Sequence, residues 1–433
     1  MDIERYSGGE SWPYPGHHGF MAYFRNRTVN LLNVHYGIHS LALTGSGAFY
    51  TVFLLKAGVP VPAVLLSLAT ILAGRFFLRP VILPLAKRFG LKPLLVCGTI
   101  GSGLQYPFLA EVHGVGLHLY LLIAVAAVAD SFYWTTYHAY FAAHGDAEHR
   151  GQQISVREAT AAIIGIAGPL LGGWALVTLG PRIAFRATAV VLLCAAIPIL
   201  FTPNVKIAKE APHAFRKALP GVLLFMADGW ITCGLVFVWQ LALFLSLGEN
   251  FQTFGGAMAI AALVGAVSGL FLGRFIDEGH GKRAAWIALG ILVFTAVLRA
   301  VSYGDAVFAV AANAFGSLIA CLYLPTLMTA VYNQSKHSPC VARFHIATEG
   351  GWDIGGSIAL ATAAALLTLG VPMGDVILIS LLGAFFSFYL LTRYYAGNAR
   401  ASAAVVGMLA GADAVRSPEP DAFAEIENTS TQK

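Results

Sequence analysis

The chain has 433 residues, 57% of them hydrophobic and only 11% charged, with a formal net charge of +5 and a mean hydropathy of +0.70. Soluble domains carry about a quarter charged residues, so this balance excludes a water-soluble globular protein. Apolar runs of about twenty residues recur along nearly the whole length, the mark of a multi-pass integral membrane protein.

The first thirty residues are polar, with Arg5, Arg25 and Arg27 and no apolar signal region. The first span is therefore expected to act as its own insertion signal. Spans are expected near 31–55, 61–84, 93–112, 117–141, 155–178, 182–201, 219–247, 254–276, 284–301, 305–332, 344–369 and 374–395. An even number puts both termini on one side. Most of the 27 Lys and Arg lie in the two tails or in the connections after even-numbered spans, which makes that side the cytoplasm and the membrane the plasma (inner) membrane. The polar linker 202–218, "TPNVKIAKEAPHAFRKA", separates a first six-helix bundle (31–201, after the cytoplasmic tail 1–30) from a second (219–395). The final segment, 396–433, turns small, polar and acidic, and is expected to be mostly disordered apart from a short surface helix in "AAVVGMLAGADAV". Cys97, Cys194, Cys233, Cys321 and Cys340 are scattered, with neither a disulfide framework nor metal-ligand spacing.

The two halves repeat. "LPLAKRFGLKPLL" after span 2 and "LGRFIDEGHGKRAAW" after span 8 are basic connections of one kind, and spans 5 and 11 each open on a Glu, Glu158 and Glu349. Both correspondences fall at an offset of about 190 residues, as expected of duplicated six-helix halves.

These loops resemble the signature of the major facilitator superfamily, roughly G-x-L-A-D-R-x-G-R-K. Leu85, Ala86, Arg88, Gly90 and Lys92 stand in register, with Lys87 in place of the acid; the second copy keeps the acid in Gly273-Arg274-Phe275-Ile276-Asp277. In span 5, "GPLLGG" (Gly168, Pro169, Gly172 and Gly173) is similar to the GPxxGG core of the family's exporters. Span 4 carries Asp130 where the proton-coupled exporters carry an Arg. The resemblance covers about 25–395 and implies an all-α fold of twelve transmembrane helices in two pseudo-symmetric bundles. It further implies alternating access about a central site lined by spans 1, 4, 7 and 10.

The polar residues of those spans are the candidate pathway, because an intramembrane charge must face a cavity or a partner. Span 1 offers His35 and His39 at i,i+4 spacing; span 4 offers Asp130, Tyr133, Trp134, Tyr137 and His138; span 7 offers Asp228 beside Trp230; span 10 offers Asn313 and Ser317. Asp130 reads either as a protonatable carboxylate or as a structural one tied to an Arg. The histidines read either as proton carriers or as neutral groups bonded within the bundle. Tyr133, Trp134 and Tyr137 are expected to line the cavity, and Tyr140 and His144 to sit in the interfacial belt. Lys87, Arg88, Gly90, Lys92, Glu158, Arg274, Asp277 and Glu349 form the candidate cytoplasmic gate. The small residues of GPLLGG read as a tight joint between the halves. Arg75 reads as a snorkelling or bundle-paired residue, and Arg186 has no evident place.

No phosphate loop, metal cluster or nucleophile elbow marks an enzyme. The expectation is a secondary transporter that works as a monomer on a small molecule within the lipid bilayer, with no nucleic acid partner and no cofactor. A proton or other ion gradient would drive it, with a lean towards efflux. The alternatives are an uptake symporter for a polar solute and a non-transporting receptor or assembly factor.

Overall fold

The computed structural model describes residues 26–144, 150–207, 211–276 and 281–415, with the side chains of 142–143, 150–159, 272–276, 281 and 398–415 outside the description. Among the described residues the chain is helical throughout, with no strand. The long helices are α1 (Arg27–Lys56), α2 (Val61–Phe89), α3 (Leu91–Ala110), α4 (Leu117–His144), α5 (Arg150–Thr178), α6 (Pro181–Leu200), α7 (Ala214–Ser246), α8 (Phe251–Ile276), α9 (Gly281–Ser302), α10 (Ala306–Lys336), α11 (Val341–Thr368) and α12 (Met373–Gly397). Eleven of them are long and apolar enough to cross a membrane; the exception is α3, whose 20 residues include Thr99, Ser102 and Gln105. Helices dominate because a chain in hydrocarbon must satisfy its backbone hydrogen bonds within each segment.

One expected boundary moves. α12 breaks at Leu378–Ile379 and its second part runs on from Ser380 to Val415, so residues 396–402, expected to be disordered, are helical together with the short helix expected in "AAVVGMLAGADAV". Residues 416–433 lie outside the described residues.

Three helices are interrupted where the site needs them. α1 breaks between Thr44 and Tyr50 through a short 3-10 turn, Ser46–Phe49, because Gly45 and Gly47 leave the backbone unconstrained there. α7 passes through a π-helical turn, Cys233–Val238, which shifts the register of Trp239 and Gln240. α10 bends at Ser317, between Ala306–Gly316 and Leu318–Lys336.

Helices α1–α6 pack mainly on one another, as do α7–α12, and the two sets meet along α2 against α11 and α5 against α8. Glycine serves both seams. In α11, a Cβ at Gly356 would lie 2.7 Å from Leu72 Cδ1 of α2, while Gly351 and Gly355, on another face, press on the backbone of Val222 and Met226 in α7 within the second half. In α5, Gly168 and Gly172 press on the break in α1, where a Cβ at Gly172 would lie 2.5 Å from the carbonyl carbon of Gly45. Gly173 and Pro169 meet Phe251 and Gly255 of α8. The GPLLGG stretch is thus a three-helix junction that joins the halves.

Candidate functional site between the halves

The densest cluster of buried charge lies on the α2–α11 seam. Arg75 and Arg79 are i,i+4 on α2, and Glu349 and Asp353 are i,i+4 on α11, so each pair shares a helix face. Arg79 Nε donates to Asp353 Oδ2 at 2.5 Å, and its Nη2 stands 3.5 Å from Glu349 Oε2. Arg75 Nη2 lies 3.1 Å from Asp353 Oδ1 and 3.7 Å from Glu349 Oε2. Arg79 Nη1 also donates to Thr135 of α4 at 2.6 Å. Asp353 is 0% exposed. Two cations of one half are therefore matched by two carboxylates of the other.

A third carboxylate faces this cluster. Asp130 of α4 lies within electrostatic range of Arg75, Arg79 and Asp353, yet makes no ion pair of its own among the described residues. It opens on a cavity of about 280 Å³ between the halves, shared with Arg75, Trp134, Gln105, Gln240 and Trp352. Gln240 reaches that cavity by way of the π turn and accepts a hydrogen bond from Thr51 of α1 at 3.2 Å.

Trp352 connects the cluster to α7. Its ring lies under Arg75, 5.5 Å from the guanidinium carbon, and its indole N–H donates to Asp228 Oδ2 at 3.1 Å. Asp228 shares a cavity wall with Tyr323, whose hydroxyl bonds to Ser387 at 3.3 Å. It lines a second cavity of about 320 Å³ among α7, α8, α9 and α10, together with Asn313 and Ser317. Towards the end of the bundle where α1 begins, His138 of α4 faces His345 of α11 with ring centroids 6.4 Å apart, and His345 stands one turn before Glu349 on α11.

Trp134, His138, Asp130, Asp228, Asn313 and Ser317 accordingly stand at the cavities or the seam. The structure puts others elsewhere. His35 and His39 are buried inside the first half: His35 Nδ1 donates to Ala195 of α6 at 2.7 Å and its Nε2 meets the Tyr133 hydroxyl at 3.1 Å. His39 stacks on Tyr133 with centroids 4.0 Å apart. Tyr133 and Tyr137 belong to this stack rather than to a cavity wall, because α4 turns that face towards α1. Trp230 points at α12, where its indole donates to Ile379 at 2.9 Å. Tyr140, expected in the interfacial belt, is fully buried and shares a 2.6 Å hydrogen bond with Thr202.

The candidate gate residues also separate. Glu349 is not at the mouth of its span: it lies two turns into α11, about 12 Å deep at 1.5 Å per residue. Lys92 stays within the first half, where its Nζ caps the end of α6 through the carbonyls of Leu200 (2.7 Å) and Thr202 (2.8 Å). Gly90 adopts φ +87° beside Asn204, the left-handed turn that opens α3. Lys87 and Arg88 are exposed, with Arg88 over the ring of Phe89. Asp277 and the side chains of Glu158 and Arg274 lie outside the described residues. Arg186 finds its place at the end of the bundle where α3 ends and α6 begins, 4.0 Å from Glu111, which Arg182 also pairs at 3.0 Å.

Sequence reasoning missed Arg79 and Asp353. The available signal was the double i,i+4 spacing, Arg75/Arg79 and Glu349/Asp353, which places two charges on one face of each helix.

Comparison with known proteins agrees with this architecture. The sequence profile of the Major Facilitator Superfamily matches residues 34–359. No curated protein matches the chain. Among solved structures, the POT family transporter PepTSo superposes with a TM-score of 0.61 at 12% identity, covering 86% of this chain and 98% of its own. An auto-inhibited POT family peptide transporter gives a TM-score of 0.58 at 13% identity, covering 92% and 98%. At such identities the likeness concerns the fold.

Proposed function

The chain belongs to the major facilitator superfamily and is a secondary transporter embedded in the membrane by many spans; from that premise we propose that it couples transport to protons through Asp130. Its support is the charge count on the seam. Arg75 and Arg79 are balanced by Glu349 and Asp353, and Asp130 is the surplus acid, half-buried and open to the cavity. Three carboxylates around two guanidinium groups in a water-poor interior cannot all be ionised without cost, so one proton is held by the set. Asp130 is the member with access to the cavity and without an ion pair, and it carries that proton. Because the α2 and α11 partners belong to opposite halves, a change in the charge on Asp130 alters the attraction that holds the halves together. That links proton binding to alternating access.

In the same proposal all twelve long helices span the plasma membrane, α3 included, with both termini in the cytoplasm as the distribution of Lys and Arg indicates. The direction is export, on the strength of GPLLGG, and no cofactor takes part.

The test needs no known substrate. Purified protein in liposomes adsorbed on a solid-supported membrane is given pH jumps, and the transient current is recorded. The wild type gives a proton-driven displacement that Asp130→Asn removes. A variant current of wild-type size and pH dependence refutes the role of Asp130.

A further inference from the structure

The cavity inside the second half contains a cation that the proton cycle leaves unused. Arg299, at the end of α9, stands where the sequence places a loop charge, but its side chain is only 6% exposed. It turns inward between α7 and α10. Its guanidinium carbon lies 5.0 Å from the centroid of the Trp239 ring, and Nη1 donates to the Leu235 carbonyl in the π turn. Nε has no hydrogen-bond partner. Among the described residues no carboxylate forms an ion pair with it, in contrast to Arg75 and Arg79, which each have two.

The surroundings are built for this cation. Gly316 leaves the space it occupies: a Cβ there would sit 2.6 Å from the guanidinium carbon. Asn313 is already engaged: its Oδ1 accepts from the Trp239 indole at 2.9 Å and its Nδ2 donates to the Ala257 carbonyl at 3.0 Å. A buried guanidinium with one carbonyl and one aromatic face is poorly compensated in a membrane interior, and an intramembrane charge of that kind marks a functional site by default. The rest of the wall includes Ile231, Met258 and Leu324, so the space next to the cation is apolar.

We propose that this cavity of about 320 Å³ binds a small organic monocarboxylate, its carboxylate paired with Arg299 and its apolar body lying against Trp239 and Met258. A guanidinium takes a carboxylate through two parallel N–H donors, and Arg299 has Nε and Nη2 to offer. Asp228 on the same cavity disfavours a second anionic group, which restricts the ligand to one charge. The proposal depends on the transporter reading only in naming the bound anion as cargo.

Binding is measured on the full-length protein in detergent by isothermal titration calorimetry, with benzoate as the probe and benzyl alcohol and benzamidine as the neutral and cationic matches. Benzoate is expected to bind saturably and about tenfold or more tightly than either match, and Arg299→Gln to bring it down to the level of benzyl alcohol. If that variant does not fold, the wild-type order decides alone: benzoate no tighter than benzyl alcohol, or weaker than benzamidine, overturns the site. The pH-jump current is read separately. Current without benzoate preference refutes the anion site alone, and benzoate preference without current refutes the proton coupling alone.

Discussion

Replacing Asp353 by Asn removes one charge from the seam and changes almost nothing else in shape. In the wild type that carboxylate lies 3.1 Å from Arg75 and 2.5 Å from Arg79 and is shielded from solvent. At an effective dielectric constant of about 20, two unit charges 4 Å apart attract by about 4 kcal/mol. Part of that is offset by the desolvation of the carboxylate, and breaking a buried pair costs about 3–5 kcal/mol in practice. Glu349 and Thr135 remain to hold Arg79, so the expected loss for Asp353→Asn is at the lower end, about 3 kcal/mol. The assay is unfolding by sodium dodecyl sulphate in mixed micelles, followed by tryptophan fluorescence and checked for refolding. It is run as a double-mutant cycle with Arg79→Gln. If the two residues act as a unit, the second substitution costs much less in the background of the first, with a coupling of about 1–3 kcal/mol. Additive losses within about 0.5 kcal/mol would show that the seam is not held by this pair and would refute the reasoning.

Four further outcomes follow from the geometry. Gly172→Ala forces a methyl group against the Gly45 backbone and is expected to cost about 1–3 kcal/mol in the same assay. Gly290→Ala in α9, where a Cβ meets nothing within 4 Å, is expected to be neutral or to stabilise by about 0.5–1 kcal/mol; equal losses would show that the contact of α5 with α1 is not sterically tight. Lys92→Met removes two carbonyl contacts at the end of α6 and lowers stability by about 0.5–1.5 kcal/mol, while leaving the pH-jump current intact, since both contacts lie within one half. At the end of α4, burial pushes the imidazole of His144 below its ordinary 6.5, against an opposing backbone hydrogen bond with Pro203. A depressed histidine favours the neutral form in the folded protein, so its contribution is present above about 6.5 and fades as the pH falls below that. Thermal unfolding between pH 7.5 and 5 should therefore decline less in His144→Gln, and identical slopes would remove the residue from the balance.

The legibility of the site followed the physics of each residue. Asp130 could be found because a carboxylate in an apolar run is costly and needs a reason, and the structure sets it on a cavity beside two arginines. His35 and His39 drew attention on the same ground, yet their partners are the Ala195 carbonyl and Tyr133 within one bundle, and helical spacing does not say which neighbour a face meets. Glu349 was visible as one member of a repeat, which located it in the chain but not in depth. Arg299 looked like a loop charge because it ends its span; only the π turn of α7 and the bare backbone at Gly316 reveal the space it enters.

What the amino-acid sequence determined by itself was the solvent, the helical class and the family, since hydropathy, helix length and loop motifs are local properties of a chain in a membrane. Tertiary structure alone decided that α2 and α11, with charges at i,i+4 on each, form the electrostatic seam. It also decided that the GPLLGG glycines touch α1 and α8 at once, and that Arg299 faces inward. Each of these depends on which helix face meets which across distances of 64 to 274 residues in the chain, and an amphipathic face carries the need for a partner without its identity.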